Sequence, residues 1–99
     1  MASRVTVELS RRAERDLRSL SRPDRRRIGQ AITDVLARDP LPENADDKPL
    51  AGAAPWRRLR VGELRVLYRL QPGGGRLIAW VIQRGDLDRA VRTLPPVAV

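Results

Sequence analysis

The chain has 99 residues, carries a formal net charge of +8 at pH 7, and contains neither cysteine nor histidine. This length allows one compact core, so we expect a single domain over residues 1–99. The missing thiols and imidazoles exclude disulfides, thiolate metal sites and the commonest acid–base side chain, and no metal or other cofactor is expected. No apolar run approaches the roughly 20 residues that span a bilayer, and no signal-peptide core opens the chain. We therefore expect a soluble cytoplasmic protein without a membrane partner.

The positive charge is concentrated in one segment. Residues 56–76 carry six arginines against one glutamate, whereas residues 39–55 carry one lysine against four acids. A polyanion such as nucleic acid is the natural partner of the basic segment. Since 19 of the 20 basic residues are arginine, a compositional bias that leaves them as solvated surface is the alternative interpretation.

The N-terminal third predicts one strand followed by two helices. Apolar and polar residues alternate over 4–9 (RVTVEL), the pattern of a half-buried strand at or near a sheet edge. Ser10 is a good N-cap for a short helix reaching about residue 20. Pro23 and Asp24 suit the first turn of a second, longer helix that ends near Arg38. Its apolar residues form one stripe: Ile28, Ala31, Ile32, Val35 and Leu36.

Residues 41–55 predict a long surface connection, because they contain three prolines and little periodicity. The acidic residues of this segment, Glu43, Asp46 and Asp47, lack the spacing of a metal site. We interpret them as part of a solvated loop.

The segment WRRLRVGELRVLYRL (56–70) predicts a β-hairpin with a two-residue type II′ turn at Gly62-Glu63. Residues directly opposite each other share a face of the sheet. The register therefore gives one apolar face, formed by Leu59, Val61, Leu64, Val66, Tyr68 and Leu70. The other face carries Trp56, Arg58, Arg60, Arg65, Leu67 and Arg69.

A turn at 72–75 (PGGG) leads into a third strand over 76–84. With Gln71 opposite Arg76, its residues Leu77, Ala79 and Val81 join the apolar face, and Ile78, Trp80, Ile82 and Arg84 join the other. A bulge would invert part of this assignment. The two helices cover the apolar face, which predicts an α+β fold of two layers on a small antiparallel sheet, in the order β-α-α-β-β-β.

We expect the opposite face to be at least partly open, since the sequence shows no third layer. Its arginines would then form a phosphate-binding surface, and Glu63 is the only carboxylate in the hairpin. The alternative is that they extend outward and pair with Glu63, with the acidic loop, or with Asp86 and Asp88. Trp56 and Trp80 have two interpretations, stacking on a nucleic-acid base or filling the core, and the core is favoured for Trp80.

The order of these elements, together with KPLAG (48–52), RLRVGELRVLY (58–68) and VIQR (81–84), resembles the RelE/ParE superfamily of bacterial type II toxins. The resemblance implies a RelE-like, microbial-ribonuclease-like fold and a toxin that a cognate antitoxin neutralises in an oligomeric complex. For the RelE branch it implies cleavage of mRNA on the translating ribosome.

The resemblance assigns the family's catalytic positions to Arg58, Arg60, Arg65 and Arg84. Many relatives have a histidine where this chain has Gln83, and some RelE members have a tyrosine near the position of Ala90. Because guanidinium stays protonated at cellular pH, Glu63 is the only nearby candidate for a general base, although its position in the turn favours a solvated turn residue. The expected RNA-binding residues are Trp56, Arg57, Arg69 and Gln83.

The leading hypothesis is a ribosome-dependent mRNA endoribonuclease that uses attack by the 2′-hydroxyl and arginine-based electrostatic catalysis. A ParE-like inhibitor of DNA gyrase is the alternative, because that activity needs neither a general base nor a 2′-hydroxyl. A catalytically weak RNA- or antitoxin-binding module is a third. We expect residues 93–99 to be a flexible tail.

Overall fold

The computed structural model describes residues 3–94. These residues form three helices, a five-stranded main sheet and a separate two-stranded sheet. In chain order the elements are β1 (Ser3–Arg4), β2 (Val7–Leu9), α1 (Arg11–Ser19), α2 (Arg22–Ala31), a π-helical turn (Ile32–Leu36), β3 (Arg38–Asp39), β4 (Asp47–Pro49), β5 (Arg57–Val61), β6 (Leu64–Leu70), β7 (Arg76–Gln83), a 3₁₀ turn (Arg84–Asp86) and α3 (Leu87–Thr93).

The main sheet has five strands in the order β2-β7-β6-β5-β4. The predicted hairpin forms β5 and β6 in the expected register, with Arg60 opposite Arg65 and Val61 opposite Leu64. Gly62 has φ +60°, while no non-glycine residue in the described chain has positive φ, which fits the type II′ turn. The α+β fold class is confirmed. The sheet is mixed rather than antiparallel, because the edge strand β2 pairs parallel to β7.

The first two helices begin where the sequence predicts. The Ser10 hydroxyl accepts a hydrogen bond from the Ala13 N–H at 3.0 Å, and Ser21 caps α2 in the same way. Their apolar sides, with the π-helical turn, pack on one face of the sheet around the fully buried Tyr68. This first core also contains Ala13, Ile28, Leu36, Leu59, Leu64, Val66, Ile78 and Val81.

A β-bulge in β7 changes which residues face this core. Trp80 lies opposite Leu67 as expected, but Ile78 rather than Ala79 lies opposite Tyr68. The prediction that placed Leu77 and Ala79 on the helix-covered face, and Ile78 on the other, is therefore wrong for that end of the strand. The reason is that one extra residue reverses the alternation of side chains.

Helix α1 stabilises the bulge from the side. Strand β2 pairs only with residues 76–78 of β7, and α1 lies beside the next part of that edge. The Ser10 hydroxyl donates to the Ala79 carbonyl at 2.5 Å, and the Val81 N–H donates to the Asp16 carboxylate at 3.0 Å. The helix thus supplies the hydrogen-bond partners that a neighbouring strand would otherwise provide.

The expectation that no third layer covers the second face is wrong, because part of that face is covered. Helix α3 packs there, and its Ala90 is 4% exposed within a second core formed by Leu50, Trp56, Leu67, Ala79 and Ile82. Leu94 also packs against this core, which contradicts the predicted flexible tail at residues 93 and 94. The rest of that predicted tail, residues 95–99, lies outside the described residues. The molecule therefore has three layers.

The predicted first strand is divided in two. Strand β1 pairs with β3 in a separate two-stranded sheet, with Ser3 opposite Asp39. The buried Arg76 side chain, 3% exposed, donates to the Arg38 carbonyl at 2.9 Å and to the Gly74 carbonyl. This arginine joins the small sheet to the start of β7 and has a structural role that the sequence did not reveal.

The predicted surface connection, residues 41–55, also contains a strand. Strand β4 pairs antiparallel with β5, with Asp47 opposite Leu59 and Lys48 opposite Arg58. The segment is therefore only partly the surface connection that we expected. Among residues 3–94, the structure has no helix of the length and apolarity that crossing a bilayer requires.

We expect Asp16→Ala to lower the free energy of unfolding by about 1–3 kcal/mol, because the Val81 N–H loses its acceptor. Asp16→Asn, which retains an acceptor oxygen, should cost less. Urea unfolding followed by circular dichroism measures both, with the exposed Arg15→Ala on the same helix as the control. Equal midpoints for Asp16→Ala and Arg15→Ala would show that the helix does not support the bulge.

Candidate nucleic-acid interface

Four arginines lie together at the turn end of the hairpin, on the face that also carries α3. Arg60 and Arg65 are directly opposite each other, Arg58 lies two residues from Arg60 on β5, and Arg84 follows the end of β7. The Arg84 N–H donates to the Glu63 carbonyl at 2.9 Å, which fixes the backbone of Arg84 beside the hairpin turn. We call this set, Arg58, Arg60, Arg65 and Arg84, the arginine surface.

The four charges act on one another. Burial lowers the pKa of Arg65, and the charges of Arg60, Arg58 and Arg84 lower it further. Arg65 nevertheless remains protonated at neutral pH, because guanidinium starts from so high a pKa. Its Nη1 donates to the Gly62 and Leu64 carbonyls, each at 2.9 Å, so the side chain is held against the turn. A rigid cluster of positive charge of this kind attracts anions.

Three of the four arginines contact carboxylates of the same chain. Arg58 Nη1 lies 3.1 Å from Asp46 Oδ1, and Arg60 Nη1 lies 3.8 Å from Asp46 Oδ2. Arg84 Nε lies 3.1 Å from Glu63 Oε2. The alternative of pairing with the acidic loop and Glu63 is thus partly right. Asp86 pairs instead with Arg89.

These ion pairs leave the arginine surface able to bind an anion. The side chains of Arg84 and Glu63 are 65% and 70% exposed, and those of Arg60 and Asp46 are 53% and 49% exposed. The side chain of Arg58 is 15% exposed. Exposed ion pairs contribute only about 0–1 kcal/mol. A phosphate group that engages several guanidinium groups at once can replace such contacts.

Asp47 is the better-buried acid of the same segment, and it anchors β4 to the sheet. Its Oδ2 accepts from Arg57 Nε at 2.8 Å and from the Tyr68 hydroxyl at 2.5 Å. Burial would raise the pKa of Asp47, but the hydrogen bonds from Arg57 and Tyr68 and the nearby positive charges outweigh it and lower the pKa. Burial and Asp47 together raise the pKa of Tyr68. The predicted core position of Tyr68 is confirmed.

Two of the predicted RNA-binding residues lie on the same face as the arginine surface but away from it. Trp56 is 5% exposed and belongs to the second core, so the proposed stacking on a base does not fit its position. Arg69 packs over the Trp56 ring with its guanidinium carbon 5.8 Å from the ring centroid. Four residues of strand separate Arg69 from Arg65, roughly 13 Å at the usual rise per residue.

The other two predicted RNA-binding residues are on the opposite face. Arg57 is paired with Asp47 and lies opposite Tyr68. Gln83 is exposed at the end of β7 and lies opposite the core residue Leu64.

Trp80, assigned to the core from the sequence, is only partly buried, and the Arg12 guanidinium lies 4.7 Å from its ring centroid.

The chemistry available at the arginine surface is that of charge stabilisation with two adjacent carboxylates, Asp46 and Glu63. The guanidinium groups can bind and neutralise phosphate oxygens, and the Glu63 carboxylate beside Arg84 can accept a proton. Among residues 3–94, no group of three or more acidic side chains is arranged to hold a metal ion.

Sequence reasoning missed Asp46 as a member of the site. Its acidic character was visible, but its contact with β5 depends on the pairing of β4.

Comparison with known proteins assigns the family. Residues 7–88 match the family model described as the ParE toxin of the type II toxin–antitoxin system parDE. The chain belongs to the ParE toxin family. The superfamily resemblance seen in the sequence is therefore confirmed. No functionally curated protein matches the sequence.

Solved structures place this ParE-family toxin among RelE folds. A chain of the RelBE2 toxin–antitoxin complex of Mycobacterium tuberculosis is 28% identical, with a TM-score of 0.71, over 83% of this chain and 100% of that one. For a chain of the RelE–RelB complex of Pyrococcus horikoshii the identity is 26% and the TM-score is 0.67, over 84% of this chain and 98% of that one. The isolated Escherichia coli RelE toxin, at 16% identity and a TM-score of 0.63 over 91% and 99%, shares the fold.

We expect the stability of the toxin to fall in acid through Asp47. Because the pKa of Asp47 is lowered by folding, its contribution is complete above the pKa of the unfolded chain and is lost as the pH falls through the folded-state pKa. Asp47→Asn should cost about 1.5–3 kcal/mol at pH 7 and flatten the decline below about pH 4. Urea unfolding at a series of pH values tests this. Parallel pH profiles for the two proteins would contradict it.

Proposed function

We propose that this toxin is a ribosome-dependent endoribonuclease that cleaves mRNA and is neutralised by a cognate protein antitoxin. The observation that supports this most is the arginine surface itself: four guanidinium groups on one rigid side of the sheet, with the Glu63 carboxylate 3.1 Å from Arg84. Phosphodiester cleavage needs anion binding, charge stabilisation and a base, and these groups supply all three.

In the proposed reaction the 2′-hydroxyl oxygen attacks the adjacent phosphorus. The bond from phosphorus to the 5′-oxygen then breaks, and that oxygen takes up a proton from solvent, leaving a 2′,3′-cyclic phosphate and a 5′-hydroxyl end. The negative charge grows on the nonbridging oxygens and on the leaving oxygen. Arg65, held by two carbonyls of the turn, and the neighbouring arginines stabilise that charge with little reorganisation.

Glu63 accepts the proton of the 2′-hydroxyl in this scheme. An arginine does not suit that role at neutral pH, and Tyr68 is fully buried on the other side of the sheet. Arg84 contacts Glu63 through both its backbone N–H and its Nε, so it can position the carboxylate while binding phosphate. An exposed carboxylate is a weak base, which predicts slow chemistry without further help.

The ribosome provides that help in our proposal by holding the mRNA. The arginine surface is an exposed surface at the end of a sheet, and a flexible single strand bound there would keep much of its freedom. Positioning of the reacting groups contributes several kcal/mol to such reactions. A strand already ordered in the decoding region of a ribosome meets this requirement.

The proposed antitoxin covers the arginine surface. The related structures from Mycobacterium tuberculosis and Pyrococcus horikoshii are toxin–antitoxin complexes. Acidic residues of an antitoxin would pair with the arginines, and an amphipathic helix would cover nearby apolar surface. We expect the resulting complex to be oligomeric.

Inhibition of DNA gyrase is the second candidate function. It is favoured by the match to the ParE family model and by the composition of the site, because the chain has no histidine and its single tyrosine is buried. Binding to gyrase requires no base at the arginine surface. The two functions leave different products, either cut transcripts or broken DNA.

We expect Arg65→Ala and Arg84→Ala to relieve growth arrest on induction and to lower transcript cleavage roughly 10²-fold, because each removes a group that stabilises developing charge. Arg15→Ala, an exposed arginine on α1, is the control and should stay toxic. Mapping of transcript ends and a DNA-damage reporter distinguish the two functions. Intact transcripts with induced DNA damage would favour gyrase, and full toxicity of both variants would reject this site.

Glu63→Gln should lower the cleavage rate at least tenfold without weakening RNA binding, because it removes a base but no positive charge. The measurement is single-turnover cleavage of mRNA on programmed ribosomes, with anisotropy binding of an RNA oligonucleotide measured in parallel. An unchanged rate would mean that Glu63 only positions Arg84.

A further inference from the structure

The Asp46 carboxylate bridges two members of the arginine surface. Its Oδ1 lies 3.1 Å from Arg58 Nη1, and its Oδ2 lies 3.8 Å from Arg60 Nη1. Two oxygens of one anion thus contact two neighbouring guanidinium groups. The two nonbridging oxygens of a phosphodiester make the same kind of contact with arginine.

Asp46 is held in this place mainly by its neighbours. The Asp46 carbonyl accepts from the Arg60 N–H at 2.9 Å and from Arg58 Nη1 at 3.2 Å. The next residue, Asp47, is fixed to Arg57 and Tyr68. The backbone therefore keeps the carboxylate near the two arginines even though the side chain itself is 49% exposed.

We propose that Asp46 is an internal competitor for a phosphate subsite formed by Arg58 and Arg60, and that it sets the affinity of the arginine surface for nucleic acid. This inference rests on the proposed function, in that the ligand is RNA. A phosphodiester enters the subsite only when the carboxylate turns outward, which its exposure allows. Asp46 is a positioning residue here, because it acts through the two arginines.

The competition also gives selectivity. A single small anion gains too little to displace a carboxylate that is tethered next to the subsite, since tethering gives it a high effective concentration. An RNA strand that also contacts Arg65 and Arg84 gains several interactions at once. The subsite therefore favours ligands with several phosphates over free inorganic phosphate.

Asp46→Asn tests the proposal, because asparagine keeps the shape of the side chain and removes its charge. We expect the Kd of the isolated full chain for a fluorescent single-stranded RNA to fall roughly three- to fivefold at physiological salt, the effect of releasing the weak contacts of the Asp46 carboxylate with the two arginines. Glu43→Gln is the matched control, since Glu43 is an exposed acid of the same segment and the charge change is identical. Its Kd should stay within about 1.5-fold of the unmodified chain.

A second set of variants shows whether the effect passes through the subsite. In a chain that carries Arg58→Ala and Arg60→Ala, Asp46→Asn should no longer increase RNA affinity. Thermal unfolding checks that each variant is folded, and Asp46→Ser replaces Asp46→Asn if the latter is not. Equal effects of Asp46→Asn and Glu43→Gln, or a gain that persists without the two arginines, would overturn the proposal.

The same variants separate this inference from the proposed function. Transcript mapping after induction reports on the ribonuclease, and oligonucleotide binding reports on the subsite. If the expected gain in RNA affinity occurs but transcripts remain intact, the subsite stands and the ribonuclease proposal fails. If transcripts are cut but Asp46→Asn behaves like Glu43→Gln, only the role of Asp46 is rejected.

Discussion

Repulsion between arginines that face each other across two strands is the constraint on which the rest of this structure depends. Arg60 and Arg65 occupy directly opposite positions, an arrangement that normally destabilises a sheet. The fold compensates with carboxylates from two directions, Asp46 from the residue just before β4 and Glu63 from the hairpin turn. Four positive and two negative side chains leave this corner of the molecule with an excess of two positive charges, which is available to a ligand.

The two faces of the sheet divide the tasks of stability and binding. One face is covered by α1, α2 and the π-helical turn. The other is divided along its length: α3 and Trp56 occupy one part, and the arginine surface occupies the turn end. Because the hairpin strands are packed on both faces over part of their length, the arginines project from a rigid support. Charge stabilisation in a transition state requires groups that are held rigidly in this way.

The sequence was sufficient wherever short-range chemistry determined the structure. Gly62 and a two-residue turn fix the register of β5 and β6, so the grouping of Arg58, Arg60 and Arg65 followed from counting residues. The bulge in β7 did not follow, because its stability depends on hydrogen bonds with Ser10 and Asp16, which lie far away in the sequence at the start of α1 and within it. Strand β4 has three residues and includes a proline, which leaves almost no alternating pattern. Helix α3 had a usable signal in the helical spacing of Leu87, Ala90, Val91 and Leu94.

Gln83 and Ala90 stand where the family resemblance places a histidine and a tyrosine. This limits the groups that can act as a base in the proposed reaction. A base at the arginine surface must be a carboxylate, and each carboxylate there already neutralises an arginine. Protonating Glu63 during the reaction would therefore release positive charge from Arg84 at the moment when negative charge grows on the phosphate. In the proposed reaction, loss of the Glu63–Arg84 ion pair is coupled to stabilisation of the transition state, so Glu63 weakens substrate binding in the ground state but favours the chemical step.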